Sequence, residues 1–138
     1  MNKKFFEDIK TILSFLFLRK NWNGYGANRI SLKTIYNALW FRWITKDFDF
    51  LLISPVARNS IQFECEDKDI GAYLEFEVFE DHIKVFFSES CESLKTGECS
   101  EELLRFDYKS KLLYRLMLGG FKYKLYSFIK EILKLSRE

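Results

Sequence analysis

One histidine, one proline and three cysteines are too few for several familiar kinds of chemistry in this 138-residue chain. The cysteines are odd in number and contain no CxxC pair, so neither a disulfide framework nor a zinc site is expected. Cys91 and Cys99 could pair, but free thiols in a reducing cytosol are the simpler reading. No apolar run is long enough to cross a bilayer: the longest, Ile12 to Leu18, is interrupted by Ser14 and closed by Arg19 and Lys20. That run imitates a secretory leader, but Glu7 and Asp8 precede it and no small-residue cleavage site follows. The reading is therefore a cytoplasmic chain with no membrane partner. Repeats, linkers and low-complexity tracts are also missing, so residues 1–138 are expected to form a single domain.

What is present is aromatic bulk. Hydrophobic residues make up 48% of the chain and aromatics 18%, led by 15 phenylalanines, which excludes a disordered chain and promises a packed core. The net charge of +2 conceals a division. Residues 1–46 carry a net +7, residues 47–107 a net −11 and residues 108–138 a net +6. Basic ends can simply neutralise an acidic middle, or the acidic middle can face a basic partner.

The periodicity changes along the chain. Phe5, Ile9, Ile12, Leu13 and Leu16 recur at helical spacing, widened by Phe6 and Phe17, and predict a helix over 3–20 that Asn21 closes. Ser31 is the expected N-cap of a second helix to about Thr45, with Leu32, Ile35, Tyr36, Leu39, Trp40, Trp43 and Ile44 as its buried side. The period then drops to two. Phe50 to Ile53 reads as a strand stopped by Pro55, and Ala57 to Ser60 as a turn. Ile61, Phe63 and Cys65, then Leu74, Phe76 and Val78, then Ile83, Val85 and Phe87 alternate with polar neighbours. Residues 88–100 read as a polar loop. Helix is expected over about 101–118 and, after Gly119-Gly120, from Phe121 to about Ser136. The expected fold is α+β: two N-terminal helices, an antiparallel meander of about four strands, and C-terminal helices packed on one sheet face.

Between the first two helices runs Asn21-Trp22-Asn23-Gly24-Tyr25-Gly26-Ala27. Gly24 or Gly26 is expected at positive φ, with Trp22 mostly buried and Trp22 and Tyr25 pinning the loop. An alternative has the glycine amides meeting an anion near Arg29, but a phosphate cradle needs a strand-to-helix setting and more glycines. This loop resembles the NW(D/N)GYGA loop of a group of small bacterial and phage proteins that place it after an N-terminal apolar helix. The resemblance covers about Lys20 to Phe87. It implies a helix and strands after the loop and supplies no activity.

Two constellations could carry function. If the strands pair through the Asp67–Gly71 turn, Glu64, Glu66, Glu75 and Glu77 share one sheet face, relieved in part by Lys84. Such a face either solvates the sheet or meets a basic partner. The basic terminal segments, with Tyr108, Tyr114, Tyr123 and Tyr126 among the C-terminal lysines, could instead bind nucleic acid, although an amphipathic helix accounts for them. Catalysis has little support. His82 reads as an exposed strand residue with no nucleophile motif nearby, and Glu66-Asp67-Lys68 with Asp49 puts the lysine in a turn rather than on a strand, where nuclease metal sites need it. Asp67 and Asp69 lack the glycine and closing glutamate of a calcium loop. The expectation is a non-enzymatic interaction protein without cofactor or metal, of the phage anti-defence or anti-CRISPR inhibitor kind. Glu64, Glu66, Glu75 and Glu77 would meet a basic or nucleic-acid-handling protein, with direct nucleic-acid binding as the alternative.

Overall fold

A computed structural model of the protein describes residues 3–46, 49–67, 72–89 and 100–107. Two helices, α1 (Lys3–Ser14) and α2 (Leu32–Ile44), precede strands β1 (Leu52–Val56), β2 (Ser60–Asp67), β3 (Ala72–Val78), β4 (His82–Glu89) and β5 (Ser100–Asp107). All neighbours pair antiparallel in the order β1-β2-β3-β4-β5. The four expected strands are thus joined by a fifth, and residues 101–107, expected to begin a helix, belong to it. The remaining C-terminal helices expected over 108–136 lie outside the described residues.

The α1 helix stops earlier than residue 20. Ser14 Oγ donates to the Thr11 carbonyl at 2.6 Å, and Thr11 Oγ1 to that of Glu7 at 3.0 Å. Such back-bonding competes with the helical ladder. The chain tightens into a 3-10 turn at Phe15–Phe17 and leaves the helix at Leu18. Asn21, expected to close the helix, is left-handed, but its φ of 65° serves the following loop rather than the helix end. Ser31 does cap α2, its hydroxyl accepting the Thr34 N–H at 3.2 Å.

The helices cover one sheet face. Ile12, Phe15, Ile35, Ala38 and Phe41 pack on Ile61, Phe63, Cys65, Leu74, Phe76, Val78, Ile83 and Val85. The strand alternation placed those inward residues correctly. Phe41 sits 4.8 Å from the Phe63 ring and 4.9 Å from that of Phe76, and Phe50 lies 5.2 Å from Phe63.

The expected buried side of α2 is corrected. Thr34, Ile35, Ala38, Phe41 and Arg42 are its buried residues, whereas Leu32, Tyr36 and Trp43 are exposed. Leu39, Trp40 and Ile44 are only partly buried. In the same way α1 buries Phe5 and Ile12 but exposes Phe6, Leu13 and, just beyond it, Phe17. The first strand is also displaced: Phe50 is a core residue ahead of β1, and Pro55 lies within β1, opposite Ile61. An edge strand accommodates proline because it leaves one row of backbone groups outside the ladder.

Candidate functional site

The Asn21–Ala27 loop is built by its own asparagines. Asn21 N–H donates to the Ala27 carbonyl at 2.7 Å, and Gly24 N–H to the Asn21 carbonyl at 3.0 Å. Asn21 Oδ1 accepts the Gly26 N–H, while Asn23 Oδ1 accepts those of Tyr25 at 2.8 Å and Ala27 at 3.2 Å. Gly24 and Gly26 stand at φ 78° and 82°, which the sequence required of at least one of them. With four consecutive amides spoken for, the loop offers an anion no free donor row. Trp22 is half-buried, its Nε1–H donating to the Asn28 carbonyl at 2.9 Å, and Asn28 N–H ties the loop to the Ala57 carbonyl at 2.9 Å. Tyr25 does not pin anything: it is 92% exposed. Ala27 and Ile30 are the buried anchors. The repeated asparagine spacing was the missed signal, since asparagine side chains bond their own backbone two residues on.

On the sheet face away from the helices, the four glutamates do share a side, but not a role. Glu64 stands directly opposite Glu75, and Glu66 opposite Tyr73. Gln62 Nε2 donates to Glu64 at 2.8 Å, and Tyr73 OH donates to Glu75 at 3.0 Å. Burial, then its bond to Glu75, pushes the Tyr73 hydroxyl pKa up, so it stays a donor. Glu66 is exposed.

Glu77 departs from the set: it is 5% exposed and internally neutralised. Arg58, in the turn that Asn59 makes at φ 60°, donates through Nε to Glu77 Oε2 at 2.5 Å and through Nη2 to Oε1. Ser60 Oγ also donates to this carboxylate, and Lys84 faces it in the β3–β4 register. Burial raises the Glu77 pKa, but the hydrogen bonds from Arg58 and Ser60 outweigh it and hold the carboxyl below its usual range. The same pairing raises the Arg58 pKa against desolvation. Glu77 is therefore a structural anchor and not an exposed partner-binding residue. Sequence reasoning missed Arg58, which reaches the sheet only because the turn folds it back. A cleft of about 290 Å³ opens between Arg58, Glu75, Glu77, Lys84 and Phe86. The face is thus neutralised at its Arg58–Glu77–Lys84 end and acidic around Glu64, Glu66 and Glu75.

His82 is buried rather than exposed, stacked on Phe79 at 4.3 Å with Nδ1 2.6 Å from Asp81 Oδ1. A further polar group escaped the sequence reading. Ser31 Oγ donates to Glu80, Ser31 N–H to Asn59 Oδ1 at 2.8 Å, and Asn37 Nδ2 to the Phe79 and Glu80 carbonyls at 3.1 and 2.8 Å. These bonds fasten the start of α2 to two strand turns. Among the described residues, no group of three or more His, Cys, Asp or Glu could hold a metal ion. No protein-family model, curated protein or solved structure matches the chain.

Proposed function

We propose that this chain is a non-enzymatic interaction protein of the cytoplasm, of the phage anti-defence or anti-CRISPR inhibitor kind. Glu64, Glu66 and Glu75 engage a basic, nucleic-acid-handling protein. The observation that carries the reading is the direct opposition of Glu64 and Glu75 across β2 and β3. Opposed like charges weaken a sheet by about 0.2–1 kcal/mol, and an uncharged polar pair would solvate it as well. Gln62 and Tyr73, neutral donors, orient these two carboxylates, so the negative field reaches solvent. Fields of this kind set association rate and partner choice. The resemblance of the Asn21–Ala27 loop to phage proteins supports the phage setting.

The test is co-purification from the native host with the parent chain and with Glu64→Lys/Glu75→Lys. A basic nucleic-acid-binding protein retained by the parent and lost by the folded variant supports the reading, as does an association rate that falls steeply with salt for the parent alone. Equal association rates for both chains at low salt overturn it.

A second reading is direct nucleic-acid binding through the basic helices. It is favoured by seven exposed cations in the helical layer, Lys3, Lys10, Arg19, Lys20, Arg29, Lys33 and Lys46, against one exposed carboxylate, Glu7. Its C-terminal part lies outside the described residues. Binding that weakens steeply with salt, through counterion release, is its signature.

A further inference from the structure

The helical layer carries its own unexplained surface. On α2, Leu32, Tyr36 and Trp43 stand at i, i+4 and i+11, one side of the helix, and are 74%, 69% and 49% exposed. On α1 and the turn that continues it, Phe6, Leu13 and Phe17 stand at i, i+7 and i+11 and are 54%, 41% and 85% exposed. Beneath the surface the two rows meet at Phe5, itself buried, which lies 5.6 Å from Phe6 and 6.0 Å from Trp43. Scattered exposed apolar residues are ordinary, but connected rows mark an interaction surface.

Cations border the rows. Lys3 and Lys10 are the i−3 and i+4 neighbours of Phe6, and Lys33 is the i−3 neighbour of Tyr36. Lys46 Nζ sits 4.7 Å from the Trp43 ring. This charge selects the occupant. A second copy meeting it layer against layer would bring equally basic surface, and residues 108–138 carry a net +6, so neither supplies anionic charge; a copy meeting it through the Glu64–Glu75 face is read out below as self-association. The occupant must be anionic and must accept apolar side chains. Single-stranded nucleic acid is held by stacking on flat π faces, and although Phe6, Phe17, Tyr36 and Trp43 offer them, Leu13 and Leu32 in the same rows do not. The boundary between headgroups and acyl chains of an anionic membrane accepts leucine and aromatic rings alike, with lysines at the phosphate level. The α2 row is about 16 Å long, half the ~30 Å hydrocarbon core, and among the described residues no helix is long and apolar enough to cross a membrane. Such a surface lies on a bilayer.

We propose that the α1–α2 layer docks peripherally on an anionic lipid surface, its two apolar rows entering the headgroup boundary and the bordering lysines meeting lipid phosphates. The sequence expectation of no membrane partner rested on the lack of a span, and the lipid-facing rows emerge only once α2 turns Leu32, Tyr36 and Trp43 outward. The inference is independent of the acidic sheet face.

The experiment is co-sedimentation of the full chain with vesicles of phosphatidylcholine alone or mixed with phosphatidylglycerol. The chain is expected to sediment with the mixed vesicles and remain in solution with the neutral ones. Leu32→Ser/Tyr36→Ser should reduce that partitioning about tenfold or more, the effect of withdrawing two side chains from an apolar phase. Because both residues are exposed, unchanged circular dichroism and melting temperature should accompany the loss. Phe17→Ser tests the α1 row separately, with the same controls. The proposal is overturned by no sedimentation with anionic vesicles, by undiminished sedimentation of both folded variants, or by binding of a single-stranded oligonucleotide, and not of vesicles, that the substitutions abolish. Self-association of the parent that the substitutions remove, without vesicle binding, would also overturn it in favour of a second copy.

Discussion

Arg42 on α2 reaches Asp8 on α1 across the helix interface, Nε to Oδ2 at 2.9 Å, with the guanidinium side chain 1% exposed. Phe5 and Phe50 hold its Cζ at 5.3 and 5.2 Å from their ring centres, and Nη1 donates to the Thr45 carbonyl at 2.9 Å. A buried ion pair of this kind adds little over apolar residues, but removing one partner strands the other. Asp8→Ala is expected to destabilise the protein by about 3–5 kcal/mol, whereas Asp8→Leu/Arg42→Met should restore most of that stability. Urea denaturation of the three chains checks this, and a small effect of Asp8→Ala would show that Arg42 finds another partner.

Glu77 provides a pH dependence. Its folded carboxyl lies below its ordinary value, so the ionised form stabilises the fold. That contribution is complete above the unfolded carboxyl pKa of about 4.3 and disappears as pH falls through the lower folded value. Glu77→Gln should cost about 1–3 kcal/mol near neutrality, leaving Arg58 and Ser60 poorly matched. The stability curves of parent and variant should then converge on acidification below about pH 4.3. A gap that stays constant down to that range would mean that packing, and not charge, holds Glu77.

The Asn21–Ala27 loop grades its residues. Gly24→Ala and Gly26→Ala should each cost about 1–2 kcal/mol from the left-handed backbone alone, because an added Cβ would meet nothing within 4 Å at either position. Trp22→Ala should cost about 1–3 kcal/mol, below the ~3–5 kcal/mol of a fully buried aromatic. Tyr25→Ala should change stability by less than about 0.5 kcal/mol. Thermal melts of the four variants give the order.

Glu64→Lys places a cation directly opposite Glu75. Replacing a like-charge pair by an opposite one should raise stability by about 0.2–1 kcal/mol, with the gain shrinking at high salt. Destabilisation, in a calorimetric melt at low salt, would show that Glu64 is held by contacts other than the repulsion it endures.

Much of the framework was readable in order along the chain. The alternation from Ile61 to Val85 named the inward side of β2, β3 and β4, because a strand has only two faces and one must be apolar. The Ser31 cap and the positive φ of Gly24 and Gly26 were also legible, since each follows from bonds within a few residues. The β5 strand was not. Its residues Glu101–Asp107 show no clean alternation, and pairing with β4 fixes them. Pro55 misled for a related reason: proline stops an inner strand, and only the sheet order makes β1 an edge.

The sequence by itself determined that helices precede an antiparallel sheet, and which strand residues form the core. These depend on period and on short-range bonding. Which side of α2 faces inward was left to the tertiary structure. Nine of its thirteen residues are apolar, distributed around the whole helix, so helical spacing alone selects no face. The Asp8–Arg42 pair and the fit of Phe41 between Phe63 and Phe76 made that selection. The fate of the four glutamates was settled likewise. They are equivalent by alternation, and Glu77 became a buried anchor only because the turn at Asn59 returns Arg58 to its side, nineteen residues away in the chain.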